Sequence, residues 1–288
     1  MDLSIIIVSH NTEKLLEACL TSVYTTLRSV DFSFEVIIVD NGSSDGSIQM
    51  VQKKFSRAVL IQNKKNDGFG KANNKGMRKS KGTYILLLNS DTVLTQGSIQ
   101  ELYAFVQNHP NSFVGPKLLN MDGSPQTSCG PFFSLPVVFA ILFLKGDVLG
   151  ITRWSPKTVT PVDWVSGACV LASRNVFFDD LFFDEDIFMY MEEVDLFYRV
   201  QKKGLKVYFN PNSVVHHVGS GSSLDKRKTP ILNIYRGLRI LYKKHYPLWT
   251  IPILTGMLQC KAFIGIAIGR ISGNRELRDT YEKAIHMV

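Results

Sequence analysis

"YILLLNSDTVL", residues 84–94, decides the fold. Tyr84 to Leu88 is an apolar run that presents no polar face. It stops at Asn89, Ser90 and Asp91 before the apolar text resumes with Val93 and Leu94. A strand of this kind belongs inside a parallel sheet covered on both sides. A carboxylate buried at its end is costly unless a cation or a set of hydrogen bonds meets it.

The flanking text repeats the pattern. "LSIIIVS" (3–9), "FEVIIVD" (34–40) and "AVLIQN" (58–63) read as further strands. Between and after them come helices. Leu16, Cys19, Leu20, Val23 and Leu27 recur at helical spacing. "DGSIQMVQKKF", "FGKANNKGMRKS" and "SIQELYAFVQNH" supply three more, the last ended by Pro110. Alternating strands and helices predict an α/β fold, a mainly parallel sheet flanked by helices. In such sheets ligands bind beyond the carboxyl ends of the strands. Polar residues gather there: Ser9-His10-Asn11, Asp40-Asn41-Gly42-Ser43, Asn66-Asp67-Gly68 and Asn89-Ser90-Asp91.

The second half is less regular. "VDWVSGACVLASR" (162–174) reads as a strand or hairpin, and "FMYMEEVDLFYRVQKKG" (188–204) as a helix ended by Gly204. "KVYFNP" and "SVVHHVG" read as two short strands, and the text is helical from about Thr229. This places a domain over 1–228, divided near 118, and a helical C-terminal region over 229–288.

With 288 residues, 45% of them hydrophobic and 20% charged, the chain can bury a sizeable core. A formal net charge of +8 favours anionic partners. No aromatic–basic nucleic-acid motif is present. Cys19, Cys129, Cys169 and Cys260 have no zinc or redox spacing, so reduced thiols in a cytosolic protein are expected. The N-terminus has neither the basic start nor the apolar length of a signal peptide.

Several groups can carry chemistry. Asp91 is a hard oxygen ligand suited to Mg²⁺ or Mn²⁺, which need few protein carboxylates when phosphates complete the shell. His216 and His217 offer a nitrogen. Glu192, Glu193 and Asp195 open a helix, where the dipole favours carboxylates, and one of them facing a cleft would serve as a general base. Asp195 and Arg199, four residues apart, can pair. Most of the cations at Lys71, Lys75, Arg78, Lys79 and Lys81 read as a solvated helix face.

"SIIIVSHN", "EVIIVDNGSSDGS", "NDGFGKANNKG", "LLLNSDT", "VDWVSGACVLASR", "FMYMEEVDLFYRV" and "VVHHVGSGS", in this order, resemble the blocks of family-2 glycosyltransferases, in the bacterial rhamnosyltransferase-like branch. The resemblance covers roughly residues 3–245. It implies the GT-A fold and an inverting displacement that moves a sugar from a nucleotide-sugar donor to a lipid-linked or polysaccharide acceptor in cell-surface glycan synthesis. It implies that Ser9, Asn11, Asp40, Gly68, Asn73, Asn89, Ser90 and Asp91 serve the donor. Trp164, Gly167 and Ala168 lie on the acceptor side, Glu193 is the base (alternates Glu192 and Asp195), and Asp91 and His216 hold a divalent Mg²⁺ or Mn²⁺. Asn89 departs from the family's Asp-X-Asp, and Glu193 stands where many relatives have Asp. Arg153-Trp154 lacks the Gln of the processive Gln-X-X-Arg-Trp motif and precedes the base, so a non-processive enzyme is expected. The donor expected first is dTDP-rhamnose, with a UDP-hexose or a non-catalytic nucleotide-sugar-binding scaffold as alternatives.

Residues 248–271 are apolar over a membrane-spanning length but contain Pro252, Gln259 and Lys261. The preceding Arg236, Arg239, Lys243 and Lys244 lie among Tyr235, Leu238, Leu241 and Tyr242, a basic amphipathic helix suited to an anionic bilayer surface. Peripheral attachment to the cytoplasmic face of the inner membrane is the expectation.

Overall fold

The computed structural model describes residues 1–178, 180–219 and 228–287. The first half is built from β1 (Leu3–Ser9), α1 (Glu13–Thr26), β2 (Phe34–Asp40), α2 (Ser47–Lys54), β3 (Val59–Gln62), α3 (Phe69–Lys79), β4 (Tyr84–Asn89), β5 (Thr92–Leu94) and α4 (Ser98–Asn108). There follow β6 (Ser112–Leu119), the short β7 (Pro125–Gln126) and β8 (Cys129–Gly130), α5 (Leu135–Phe143), and the short β9 (Thr160–Pro161) and β10 (Trp164–Val165). The chain continues with β11 (Cys169–Ser173), α6 (Arg174–Phe178), α7 (Glu192–Lys202), β12 (Lys206–His217), α8 (Lys228–His245), α9 (Thr250–Ile271) and α10 (Arg275–Ile285).

The main sheet runs β3-β2-β1-β4-β11-β6-β12-β5. β1 pairs in parallel with β2 and β4, and β11 enters antiparallel to β4 and β6. β12 is parallel to β6. The carboxyl ends of β1, β2, β4 and β12 and the start of β11 therefore share one edge. Alternation buries both faces: Ile5, Ile7, Leu86 and Leu88 pack with α1 and α4, whereas Ile6, Ile85 and Leu87 join the cluster containing Met77, Phe113 and Phe197. This is why the strands read as unbroken apolar text.

Two segments differ from the sequence reading. "KVYFNP" and "SVVHHVG" form the single strand β12, whose register shifts between Asn210 and Val214 around Pro211. A bulge absorbs a proline that cannot donate to the ladder. The apolar face of α8 is turned inward rather than outward. Tyr235, Leu238, Leu241 and Tyr242 are buried, and the Tyr235 and Tyr242 hydroxyls donate to the Leu258 and Phe133 carbonyls at 3.1 and 2.8 Å. Leu254, Leu258, Ala262 and Ala284 share that cluster with Trp164 and Phe197, so the C-terminal helices extend the main core.

Candidate active site

The polar strand ends surround a cavity of about 440 Å³. At the end of β4 the backbone N–H of Asn89 donates to the Ala168 carbonyl at 2.9 Å, tying the turn before Asp91 to the start of β11. A chain of hydroxyls, Ser9 to Thr12 at 2.8 Å and Thr12 to Ser90 at 3.2 Å, joins the end of β1 to the same turn. The turn is thus fixed from two sides, and Asn89, Ser90 and Asp91 line the cavity.

His217 stands against Asp91, its Nε2 3.2 Å from Oδ1. Its Nδ1 lies 2.7 Å from Gln126 Oε1, and the Gln126 amide nitrogen is directed to Asn120 Oδ1 at 3.1 Å. Gln126 therefore accepts, the Nδ1 hydrogen donates to it, and Nε2 is turned toward a carboxylate oxygen, with the Asn89 Nδ2 3.4 Å away. Two acceptors this close call for a proton or a cation between them. Asn89 Oδ1 is buried beside them without a hydrogen-bond partner. A divalent cation fits this donor set. Among the described residues no group of three or more His, Cys, Asp or Glu assembles, so substrate phosphates would complete the shell.

His216 is a correction to the sequence reading. Neighbouring residues on a strand face opposite ways. Its Nδ1 lies 3.0 Å from the Asn120 carbonyl oxygen, and it does not line the cavity. The neighbour on the cavity side is His217. The end of the "VVHHVGSGS" block, residues 220–222, lies outside the described residues.

Glu192 and Glu193, at the start of α7, both line the cavity. They follow Tyr190 and Met191, whose φ values of 66° and 74° put two bulky residues in the left-handed region. Such strain persists where the surroundings over-determine it. One carboxylate oxygen of each glutamate is buried without a hydrogen-bond partner. Burial raises both carboxyls above the ordinary glutamate range, and repulsion from Glu193 pushes Glu192 up further. A backbone N–H and the Arg153 charge draw Glu193 back toward its ionised form.

Asp195 does not reach the cavity. It is buried and takes Arg199 Nε at 3.0 Å, Lys244 Nζ at 2.6 Å and His245 Nε2 at 2.7 Å. Burial opposes ionisation, but the bond to His245 and the charges of Arg199 and Lys244 outweigh it and hold the carboxyl at about 2. Three donors leave no free face for a substrate proton, so Asp195 fastens α7 to α8.

Trp164, Gly167 and Ala168 line the cavity. Five other expected residues stand behind it. Ser9 belongs to the hydroxyl chain. Asn11, at φ 53°, accepts from the Ser44 N–H at 2.8 Å and shapes the loop after β2. Asp40 accepts from the Ser43 N–H at 3.0 Å through Oδ2, leaving buried Oδ1 without a partner. Asn73 caps its own helix turn on the Phe69 carbonyl at 3.1 Å. Gly68, at φ 90°, lets the chain pass Phe188, whose carbonyl oxygen would lie 2.5 Å from an added Cβ. Lys75 is engaged with Asp67 at 2.7 Å, and Arg78 with Glu185 at 3.2 Å.

Residues missed by the sequence reading include Asn41, Asn66, Gln126 and Arg153. Asn41 and Asn66 lay in quoted strand-end loops, whereas Gln126 and Arg153 sit in irregular text with no local signal.

Residues 4–126 match the profile of glycosyl transferase family 2. The chain is 29% identical over 210 residues to the low-salt glycan biosynthesis hexosyltransferase Agl10 of Haloferax volcanii, covering 72% of this chain and 64% of that protein. It is 28% identical over 268 residues to the N-acetylglucosaminyl-diphospho-decaprenol L-rhamnosyltransferase of Mycobacterium tuberculosis, covering 84% and 87%. Residues 4–126 form a glycosyl transferase family 2 domain. Its fold is GT-A. A mannosyltransferase of Pyrobaculum calidifontis, solved with GDP-Man and Mn²⁺, superposes with a TM-score of 0.58 at 14% identity, over 98% of this chain and 73% of that one. The domain makes the protein a glycosyltransferase, and Agl10 is named for glycan biosynthesis.

Proposed function

We propose that this glycosyltransferase is an inverting, metal-dependent, non-processive hexosyltransferase. It moves one sugar, rhamnose from dTDP-rhamnose as the first candidate, to a hydroxyl of a lipid-linked acceptor. The observation that carries the reading is that one cavity holds the Asp91–His217 pair and the Glu192–Glu193 carboxylates. The rhamnosyl donor is supported by the mycobacterial relative's name.

The residues divide the work. Asn41 and Asn66, joined at 2.8 Å and lining the cavity in front of the buried, unpartnered Asp40 Oδ1, form the side assigned to the nucleoside. Asp91, His217 and Asn89 would hold the divalent cation, which neutralises charge on the departing diphosphate. Glu193 takes the proton of the attacking hydroxyl as that oxygen bonds to the anomeric carbon and the bond to the diphosphate breaks. Attack opposite the leaving group inverts the centre. Burial and repulsion from Glu193 raise Glu192 well above the ordinary glutamate range, whereas the Arg153 charge favours ionised Glu193, so Glu193 is the readier of the two to act as base.

We place the protein on the cytoplasmic face of a membrane, attached through α9. This helix is long and apolar enough to span, with mean hydropathy 1.7, but one flank is packed against the protein body. Lys261 donates to the Leu142 carbonyl at the end of α5, at 2.6 Å, and so does not face lipid. The opposite flank exposes Trp249, Ile253, Phe263, Ile264, Ile268 and Ile271. An apolar stripe of that length suits the headgroup boundary.

Release of nucleoside diphosphate from a panel of nucleotide sugars, with Mn²⁺ and a prenyl-diphosphate-linked sugar acceptor, tests the reading. Metal-dependent release with one donor supports it. Binding of nucleotide without any turnover overturns it in favour of a scaffold.

A further inference from the structure

Arg153 has a placement that the reaction above uses only through its charge. Its guanidinium lies over the Trp164 ring, 5.2 Å from the centroid, and lines the cavity beside Glu193. Trp164 is itself fixed, buried and donating from Nε1 to the Pro131 carbonyl at 2.9 Å. The backbone next to Arg153 is anchored as well. Trp154 exchanges hydrogen bonds with Cys129, at 3.0 Å from its N–H and 3.2 Å to its carbonyl. Its charge reaches the Glu193 carboxyl and favours the ionised form there. It is a cation held on a rigid aromatic platform at the cavity wall.

The chain just before it is apolar and bare. Val148, Leu149 and Ile151 are 77, 65 and 57% exposed, and they follow α5, which packs on α9. Arg153 thus stands between an exposed apolar loop and the cavity that holds the base. An arginine fork matches a phosphate bidentately, and stacking on an aromatic ring pre-organises it.

We propose that Arg153 is the acceptor-phosphate site, binding the diphosphate of a prenyl-linked sugar while Val148, Leu149 and Ile151 contact the first part of its lipid. The proposal rests on the transferase reading for the sugar that enters the cavity. It places the phosphate of the acceptor, not of the donor, on this cation. The nucleoside-side groups Asn41 and Asn66 belong to the loops after β2 and β3, whereas Arg153 comes from the loop that leads to β9 and shares a platform with the acceptor-side Trp164.

The test compares two acceptors bearing the same sugar, one linked through a diphosphate to a short prenol and one a neutral alkyl glycoside of equal length. Affinity for each is measured without donor, and kcat/KM with it, for the wild type, Arg153→Gln and Arg153→Lys. The wild type should prefer the diphosphate acceptor. Arg153→Gln should cut that preference roughly 10–100-fold, the scale of a charge-assisted phosphate contact, and Arg153→Lys should restore part of it. An unchanged preference overturns the assignment, as does loss of nucleotide-sugar affinity with acceptor affinity intact. A phosphate preference equally met by a lipid-free polyol phosphate would overturn the lipid-linked source. Preferential binding without turnover by any form would overturn the transferase reading alone, since the binding arm uses no donor.

Discussion

His217 Nε2 lies 3.2 Å from Asp91 Oδ1, while the adjacent His216 is turned away to the Asn120 carbonyl. One peptide unit of strand alternation separates a cavity residue from one that braces a loop. His217→Ala should weaken Mn²⁺-dependent nucleotide binding roughly 10–100-fold, on the scale of losing a metal-site group. His216→Ala should leave it within a few-fold. Calorimetric titration of nucleoside diphosphate at fixed Mn²⁺ checks both, and equal effects would return the role to His216.

Glu193→Gln should lower kcat by roughly 10²–10⁴ with donor affinity retained. Because burial raises the carboxyl, wild-type activity should climb with pH through a range above that of an ordinary glutamate. A pH–rate profile that is flat from pH 5 to 8 would move the base elsewhere.

Glu192→Gln should stabilise the protein at neutral pH. Folding raises this carboxyl, so the native state holds a proton that the unfolded chain releases above its ordinary value of 4.5. Stability is therefore lost as pH rises through that window, and an amide removes the loss. Melting temperatures of the two proteins should coincide near pH 4 and diverge toward pH 8, with the variant higher.

Asp195→Asn should destabilise the fold by about 3–5 kcal/mol, since it leaves Lys244, His245 and Arg199 around a neutral group. In the wild type, folding lowers this carboxyl from 3.8 to about 2. Its contribution is full above the unfolded value and is lost as pH falls from about 4 toward 2. Denaturant titrations at pH 7 and pH 3 should show the gap between wild type and variant narrowing in acid.

Phe263→Glu with Ile264→Glu should abolish flotation with anionic vesicles and leave the fold intact, because both side chains are exposed. Retained flotation would move the docking surface off α9.

The sheet was legible because its strands are apolar on both faces, and the strand ends announced the cavity through Asn and Asp clusters. Alternation did not tell which of two adjacent histidines faces inward. That depended on the register of β12 against β5 and β6, set partly by the bulge before Val214. Amphipathicity in α8 revealed an apolar face but not what covers it. Asp195 looked equivalent to Glu193 until α8 brought Lys244 and His245 to it across about fifty residues of chain. Arg153 drew notice only as part of an Arg-Trp pair, because its place over the Trp164 ring is a tertiary contact that no local pattern announces.

The most direct measurement is proton NMR of the anomeric signals during single turnover, with dTDP-rhamnose, Mn²⁺ and a prenyl-diphosphate-linked sugar. dTDP should appear only with metal and acceptor present, and the new linkage should have the configuration opposite to the donor's. A product retaining the donor's configuration, or turnover undiminished in both Asp91→Ala and Glu193→Gln, would contradict this mechanism.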